Sequence, residues 1–193
     1  MEQQFWDFSG IEYFENMQIY EPSEDSYFLS DFLEKYLSKE KNKELVYLDM
    51  GSGSGILSEV ASKYLDIENI LSSDINKKAI NLLKEKGFNA KESNLFRNIS
   101  GKFDIITFNA PYLPEDRREP KDSRIATTGG KRGDEISIEF LKRAKKYLKK
   151  NGKIFLLISS LTPQERIRKF SPIIVARRKV FSEELLILKF NFN

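Results

Sequence analysis

The apolar residues of the chain alternate between helical and strand spacing. Helical spacing recurs in four segments, at residues 23–37, 56–64, 76–86 and 136–148. Short apolar runs that predict strands lie between them, at residues 45–48, 70–73, 88–92, 103–108 and 153–160. Such alternation is typical of an α/β fold with a mainly parallel sheet. Two further predicted strands, 173–180 and 185–192, would close this sheet as an antiparallel hairpin.

Capping and turn residues define where these elements begin and end. Ser23 precedes an acidic pair and is predicted to cap the first helix. Gly87 is predicted to stop the third helix, and Lys149–Gly152 the fourth. We find no internal repeat and no long linker, and 193 residues suffice for one hydrophobic core. We therefore expect residues 1–193 to form a single domain with an N-terminal arm over residues 1–22.

The composition limits the chemistry open to this chain. Histidine and cysteine are both absent, which removes the commonest general base, the commonest metal ligand and all disulfides. The net charge of +3, from 32 basic and 29 acidic residues, indicates no particular partner. The longest apolar stretch is far shorter than the ~20 residues of a bilayer-spanning helix, and no signal-peptide pattern is present. We expect a cytoplasmic protein with no metal site and no membrane contact.

A glycine-rich turn, Asp49-Met50-Gly51-Ser52-Gly53-Ser54-Gly55, follows the first predicted strand and directly precedes a helix. Glycines let the backbone approach a ligand closely, and free N–H groups at a helix start favour a negatively charged group. The dinucleotide fingerprint would need a third glycine at Ile56, and a P-loop would need Gly-Lys-Ser/Thr. Asp74 ends the second strand, where an acidic residue can accept both ribose hydroxyls. The alternatives are a packing turn and a helix cap.

Together the turn and Asp74 resemble the S-adenosyl-L-methionine (SAM) site of the Rossmann-like class I methyltransferases. The resemblance implies a seven-stranded, mainly parallel sheet with a C-terminal antiparallel hairpin and helices on both faces. It implies SAM as the cofactor and S-adenosyl-L-homocysteine as the product. Asn94, at the end of the third strand, would bind the adenine amine, and Leu95 would pack on the base; alternatively Asn94 only forms a turn. The implied cofactor residues in these segments are Asp49, Gly51, Gly53, Gly55, Asp74, Asn94 and Leu95.

Asn109-Ala110-Pro111-Tyr112 ends the fourth strand and resembles the Asn-Pro-Pro-Tyr motif of methyltransferases that modify planar nitrogens. Such nitrogens are poor nucleophiles because their lone pair is delocalised. The resemblance implies that the Asn109 side-chain oxygen and the Ala110 carbonyl hold the two N–H groups, which positions the nitrogen for attack. Pro111 would fix the backbone and Tyr112 would stack on the flat group. Ala110 replaces the first proline of the motif, so the carbonyl is kept but the loop is less rigid. A strand that ends in a proline turn is the structural alternative.

Two further segments resemble the HemK-type methyltransferases, in their short archaeal and eukaryotic branch. Tyr20-Glu21-Pro22-Ser23-Glu24-Asp25-Ser26 is similar to their Tyr-x-Pro-x-Glu-Asp-Ser/Thr segment, which implies that Ser26 binds the cofactor. Thr128-Gly129-Gly130-Lys131-Arg132-Gly133 is similar to their Gly-Gly-x-x-Gly segment. This branch methylates the glutamine of the Gly-Gly-Gln motif in class I translation termination factors. The resemblance therefore implies a release factor glutamine methyltransferase.

The resemblance also implies a partner. Members of this branch work with a small zinc-binding activator protein that adds a strand beside the third strand, so docking is expected at Phe88–Glu92. Residues 113–133 would form a loop on the substrate side. Within it, Arg117, Arg118 and Arg124 would either meet an acidic or RNA-like surface or be solvated.

Other functions share parts of this pattern. One is an amino-methyltransferase acting on adenine or guanine in DNA or RNA, or on another protein side chain. A less favoured alternative is a non-catalytic SAM-binding module. We expect that nucleic acid is not required, because the net charge is small and no basic stripe with interleaved aromatic residues is present.

Overall fold

The computed structural model describes residues 18–116 and 126–192. Of the predicted N-terminal arm over residues 1–22, only Gln18 onward is described, and Arg117, Arg118 and Arg124 lie outside the described residues. The strands are β1 (Tyr47–Met50), β2 (Ile70–Asp74), β3 (Asn89–Glu92), β4 (Phe103–Asn109), β5 (Leu148–Ser159), β6 (Ile173–Val180) and β7 (Glu183–Asn191). The helices are α1 (Glu24–Leu37), α2 (Ile56–Ser62), α3 (Lys77–Glu85), α4 (Glu135–Ala144) and the short α5 (Glu165–Arg168).

Within the described residues the strands form a seven-stranded sheet in the order β3-β2-β1-β4-β5-β7-β6. Strands β1 to β5 pair in parallel, whereas β7 runs antiparallel to both β5 and β6. This confirms the predicted α/β fold with a C-terminal antiparallel hairpin. From β1 the chain continues through β2 to β3 toward one edge of the sheet, and from β4 it continues through β5 toward the other edge. The crevice beyond the carboxyl ends of β1 and β4 is therefore the topological switch point, where open α/β sheets bind ligands.

The two faces of the sheet carry separate apolar clusters, because alternate side chains along a strand point to opposite faces. Leu48 and Ile106 belong to the cluster that includes Phe140 of α4. Tyr47 and Ile105 belong to the other cluster, which is covered by α1, α2 and α3. Helices thus pack on both faces of the sheet, as predicted. Within the described ranges, no helix is both long and apolar enough to cross a bilayer.

Several element boundaries differ from the sequence prediction. Strand β1 begins two residues later than expected and continues to Met50. Helix α4 ends at Ala144, and β5 already begins at Leu148, so Lys149–Gly152 lie in a strand instead of stopping the helix. Pairing decides this boundary: Leu148 lies opposite Phe103 of β4, and a Cβ on Gly152 would lie 2.9 Å from the Phe103 carbonyl oxygen.

The caps and the short helix also differ from expectation. Ser23 occupies the cap position of α1, but its side chain makes no capping hydrogen bond. A side-chain cap does occur on another helix, α3, where the Asn76 side chain accepts a hydrogen bond from the Lys78 N–H. Helix α5 is not predicted at all, because four residues are too few to show a helical period.

Candidate active site

A cavity of about 790 Å³ opens at the carboxyl ends of β1, β2, β3 and β4, at the switch point of the sheet. Its volume lies within the usual range of small-molecule sites. The structure brings most of the sequence-predicted site residues into its lining, namely Ser26, Gly51, Gly53, Asp74, Asn94, Leu95, Asn109 and Pro111. Four other predicted residues do not line it, namely Asp49, Gly55, Ala110 and Tyr112.

The three glycines of the turn have different structural roles. All have left-handed backbone conformations, with φ of +65° at Gly51, +50° at Gly53 and +93° at Gly55. A Cβ on Gly51 would lie 2.9 Å from the Phe108 ring, and one on Gly55 would lie 2.6 Å from Leu83. A Cβ on Gly53 would meet nothing closer than the Tyr20 carbonyl oxygen at 3.8 Å. Gly51 and Gly55 therefore allow close packing, whereas Gly53 leaves open space through which a ligand can approach the backbone.

Asp74 holds the glycine turn through its carboxylate. Its Oδ2 accepts the Gly53 N–H at 2.8 Å, and its Oδ1 accepts the Asn76 N–H at 2.8 Å. Burial raises the pKa of the Asp74 carboxyl, and these backbone hydrogen bonds oppose that rise. Each carboxylate oxygen can accept more than one hydrogen bond, so Asp74 retains acceptor capacity toward the cavity it lines.

The turn after β3 places Leu95 in the cavity wall with a strained backbone. Leu95 has a φ of +49°, a conformation that is costly for a residue with a branched side chain. The Ser93 hydroxyl stabilises this turn by donating to the Leu95 carbonyl at 2.6 Å and accepting the Asn98 N–H at 3.0 Å. Asn94 and Leu95 therefore face the same cavity as Asp74. Their contact with an adenine ring stays a prediction.

Asp49 lies beneath the glycine turn, not in the cavity wall. It is fully buried, and its Oδ2 accepts a 2.7 Å hydrogen bond from the Ser58 hydroxyl. Ser58 in turn lies 2.7 Å from the Ser72 hydroxyl. In the described part of the chain, no group hydrogen-bonds the Asp49 Oδ1 atom. Burial raises the pKa of the Asp49 carboxyl from about 3.8 to about 7, an increase that the Ser58 hydrogen bond opposes.

This raised pKa predicts a pH-dependent stability. Between pH 4 and pH 7 the folded protein keeps the Asp49 proton that the unfolded chain has lost, so the free energy of unfolding decreases as pH rises through this window. The decrease amounts to at most about 4 kcal/mol. Asp49→Asn cannot ionise, so we expect its stability relative to wild type to increase progressively from pH 4 to pH 8. Urea denaturation of both proteins across this range checks it; a constant difference would contradict the prediction.

Asn109 lies at the end of β4, between the glycine turn and the start of α1. Its Nδ2 donates to the Asp25 Oδ2 atom at 3.1 Å and lies 3.4 Å from the Ser26 hydroxyl. Its Oδ1 atom is buried, and within residues 18–116 and 126–192 no group hydrogen-bonds it. A buried acceptor without a donor is unfavourable by about 1–3 kcal/mol. Asn109 therefore lines the cavity with one satisfied end and one end that needs a hydrogen-bond donor.

The other three residues of the Asn-Ala-Pro-Tyr loop lie in different surroundings. Ala110 is buried in the same apolar cluster as Phe140, while Pro111 lines the cavity. The Tyr112 ring is half-buried against the cluster under α1. Burial and the nearby Asp25 raise the pKa of Tyr112 above its ordinary value. The ring thus packs against the apolar cluster that α1, α2 and α3 cover, and its stacking on a substrate stays a prediction.

The Gly-Gly-x-x-Gly segment supports this loop by close backbone contact. The Gly129 N–H donates to the Leu113 carbonyl at 2.9 Å, and a Cβ on Gly129 would lie 2.5 Å from the Pro111 carbonyl oxygen. A Cβ on Gly133 would lie 2.7 Å from the Tyr112 carbonyl oxygen. Only glycine fits at these two positions, so the segment sets the path of the loop that follows Asn109.

An ion pair holds Asp134, the residue that directly follows the Gly-Gly-x-x-Gly segment. Asp134 is fully buried, and both of its carboxylate oxygens accept hydrogen bonds from the Arg166 guanidinium, one of them at 2.7 Å. Such a two-point pairing restricts the orientation of both side chains. Arg166 also lines the cavity, so α5, which follows β5 along the chain, contributes a side chain to the site.

Several cavity residues were not identified from the sequence. Tyr20, which lines the cavity, lies inside the segment that pointed to Ser26. Nothing in the sequence indicated that the neighbouring Asp25, which does not line the cavity, accepts hydrogen bonds from both Tyr20 and Asn109. The sequence indicates Asn76 only as the start of a helix, although its Nδ2 also donates to the Gln18 carbonyl at 3.0 Å. Arg166 had no sequence signal, because α5 was not predicted.

The chain is similar to known methyltransferases. The chain matches the methyltransferase small domain family over residues 28–182. It is 41% identical to a putative protein N5-glutamine methyltransferase, MJ0928, of Methanocaldococcus jannaschii, over 93% of this chain and 94% of that protein. It is 30% identical to a release factor glutamine methyltransferase of Streptococcus pneumoniae over 66% of this chain, and spans 50% of that protein's length.

A solved structure has the same architecture. It is the E. cuniculi Mtq2-Trm112 complex, described as responsible for the methylation of the eRF1 translation termination factor. The chain that matches has a TM-score of 0.70 and 26% identity, over 90% of this chain and 98% of that one.

Proposed function

Because the chain belongs to the methyltransferase small domain family, and within it to the HemK-type glutamine methyltransferases, we propose that it methylates a release factor. The acceptor would be the side-chain amide of the glutamine in the Gly-Gly-Gln motif, and SAM would be the methyl donor. The observation that carries this proposal is the buried Oδ1 atom of Asn109, which no group in the described part of the chain hydrogen-bonds, at a cavity that also contains the glycine turn. Since release factors act in translation, we propose a cytoplasmic location.

The residues at the glycine turn fit SAM. The open space at Gly53 accommodates the amino-acid end of the cofactor, and Asp74 has acceptor capacity for the ribose hydroxyls. Asn94 and Leu95 would hold the adenine, and Ser26 would contact the cofactor beside Asn109. When bound, SAM supplies a sulfonium methyl group to the nucleophile. Asp49 would act from below the turn without touching the cofactor, because it does not line the cavity.

Asn109 would hold and orient the substrate nitrogen. Its Oδ1 atom accepts one N–H of the glutamine amide, and the Ala110 carbonyl accepts the other, so that the nitrogen lone pair faces the methyl group. With SAM bound, this nitrogen would take the methyl carbon from the sulfonium, which would leave as the thioether of S-adenosyl-L-homocysteine, and one N–H proton would pass to solvent. Such positioning can contribute up to ~7–11 kcal/mol to lowering the barrier. Because Oδ1 is enclosed, the substrate reaches it only after the surrounding side chains shift, which is common in structures without substrate.

A transfer assay tests the proposed function. The chain is incubated with methyl-labelled SAM and one of three acceptors: a release factor, the same factor with the Gly-Gly-Gln glutamine replaced by glutamate, or mixed DNA and RNA. We expect label only on the unaltered factor. Label on nucleic acid alone would favour the amino-methyltransferase of adenine or guanine. No transfer to any acceptor, even with an activator protein added, would reject the proposal.

We also propose that a small zinc-binding activator protein docks by adding a strand to β3. In the described sheet, β3 is an edge strand that pairs only with β2, so its outer backbone groups are open to strand addition. Phe88 and Ala90 are buried, so the edge offers backbone groups and the charged Lys91 and Glu92, not an apolar face. A shift in size-exclusion elution with the activator tests docking, and full activity of the chain alone would count against it.

The support given by the Gly-Gly-x-x-Gly segment predicts a further mutational effect. Gly129→Ala would push a methyl group against the Pro111 carbonyl, so we expect a loss of about 1–3 kcal/mol in stability together with a larger loss of methyl transfer. Gly101→Ala is the control: its added methyl group meets nothing within 4 Å, but its φ of +89° strains an alanine. It should therefore lose stability while keeping normal transfer, because Gly101 precedes β4 at the opposite end of the sheet. Thermal unfolding and transfer rates check both variants. Normal transfer by Gly129→Ala would contradict the supporting role.

A further inference from the structure

We propose that Asp25, held by Tyr20, is a positioning residue that fixes the orientation of the Asn109 amide and so makes the site select N–H donors over carboxylates. The proposal rests on the function proposed above. It concerns two residues that the sequence pattern did not connect with the substrate. They act through Asn109 and are not themselves placed against the reacting atoms.

The orientation of the Asn109 amide follows from the chemistry of its neighbour. Asp25 is 7% exposed, and its Oδ2 atom lies 3.1 Å from the Asn109 Nδ2 atom. A carboxylate oxygen only accepts hydrogen bonds, so the amide must turn its NH₂ group toward Asp25. The reverse orientation would place two acceptors at hydrogen-bond distance. The Asn109 oxygen is thereby kept free as the acceptor for a substrate.

Asp25 is itself held in one position by three donors. Its Oδ1 atom accepts the Ser26 N–H at 2.6 Å and the Ser26 hydroxyl at 3.2 Å. The Tyr20 hydroxyl donates to the same carboxylate, at 3.2 Å from Oδ1 and 3.4 Å from Oδ2. Burial and the adjacent carboxylate raise the pKa of Tyr20 to about 12, so its hydroxyl stays protonated and remains a donor. The carboxylate therefore cannot rotate away from Asn109 without breaking hydrogen bonds.

This arrangement predicts selectivity for glutamine over glutamate. A glutamine amide offers an N–H to the Asn109 oxygen, whereas a glutamate carboxylate would bring an acceptor against that oxygen. The negative charge of Asp25, one hydrogen bond behind Asn109, would also repel the glutamate side chain. The same charge favours the positive charge that develops on the nitrogen during methyl transfer.

Three variants of the full chain test the proposal, each assayed with its activator if one is required. Asp25→Asn preserves the shape of the side chain but offers an amide that can donate or accept. The Asn109 amide can then rotate so that its oxygen and nitrogen exchange places. Tyr20→Phe removes one support of the carboxylate. Glu24→Gln is the matched control, because Glu24 is the exposed acidic residue next to Asp25 in the first turn of α1. Thermal unfolding verifies that each variant is folded; if Asp25→Asn fails to fold, Tyr20→Phe carries the test.

The expected result separates positioning from a structural role. We expect Asp25→Asn to lower kcat roughly 10- to 100-fold, with SAM affinity within about twofold of wild type. Tyr20→Phe should give a smaller decrease in kcat, and Glu24→Gln none. The side-chain NH₂ resonance of Asn109, assigned by its loss in Asn109→Ala, should shift in Asp25→Asn. A release factor carrying glutamate in the Gly-Gly-Gln motif should inhibit Asp25→Asn more strongly than wild type.

Other outcomes would overturn the proposal. An unchanged kcat, an unchanged Asn109 resonance, or parallel losses of SAM binding and activity in Asp25→Asn would each do so. If wild-type protein transfers no methyl group to the release factor, the proposed function fails. The resonance experiment on the unliganded chain still decides whether Asp25 orients Asn109.

Discussion

Replacing Asn109 by alanine is expected to reduce methyl transfer to the release factor by about 10²- to 10³-fold. The variant loses the side-chain oxygen that would hold the substrate N–H, and the nitrogen is then no longer turned toward the methyl group. SAM affinity should remain close to wild type, because the glycine turn and Asp74 do not hydrogen-bond to Asn109. Single-turnover rates with labelled SAM measure the first effect, and a calorimetric titration measures the second.

A matched control makes this result specific to the position. Asn81 lies on the exposed face of α3, so Asn81→Ala should leave both transfer and SAM binding unchanged. If Asn109→Ala transfers methyl groups at the wild-type rate, its oxygen does not hold the substrate. If it loses SAM binding as well, its role is to organise the cavity rather than the reaction.

Replacing Asp74 by alanine is expected to have the opposite profile, with SAM affinity reduced about 10²-fold and a much smaller change in kcat at saturating SAM. The variant loses the proposed acceptor for the ribose hydroxyls. It also leaves the Gly53 and Asn76 N–H groups without their carboxylate, which loosens the turn. Hydrogen bonds to charged groups contribute about 1.5–3 kcal/mol each, so these losses account for an effect of this size.

Asp66→Ala is the matched control for Asp74→Ala, because it makes the same substitution at the opposite end of β2. Asp66→Ala removes a carboxylate from the short 3₁₀ turn before β2, outside the cavity lining, and should leave SAM affinity unchanged. Calorimetric titration of both variants, with thermal unfolding as a check on folding, gives the comparison. An Asp74→Ala variant that binds SAM like wild type would show that the ribose is held elsewhere.

Much of the fold followed from the chain's periodicity, and the comparisons confirm the family that its motifs indicated. The strands, most of the helices and the antiparallel hairpin were predicted, because apolar spacing and turn residues are read along the chain itself. The exceptions are the boundaries set by pairing. Lys149–Gly152 has the composition of a helix end, but it lies between Leu148 and Lys153, which pair with β4, and it therefore belongs to β5.

The site was predicted less completely than the fold. Its motifs lie at the ends of parallel strands, which meet at one edge of the sheet, and most of the predicted residues line the cavity there; their roles stay predictions. They did not indicate which side chains face inward there. Asp49 lies under the turn, and Tyr112 packs against the apolar cluster that α1, α2 and α3 cover.

The amino-acid sequence by itself determined the element order, the glycine turn after β1 and the amide at the end of β4, because spacing and local backbone preference depend on neighbours along the chain. Only the tertiary structure decided that Asp25 and Asn109, which lie 84 residues apart, share a hydrogen bond. Only it decided that Gly129 lies so close to the Pro111 carbonyl that a side chain would not fit between them. Such contacts arise from the packing of α1 and the Gly-Gly-x-x-Gly segment against the sheet, and no local pattern in the chain records the distance between side chains that folding brings together.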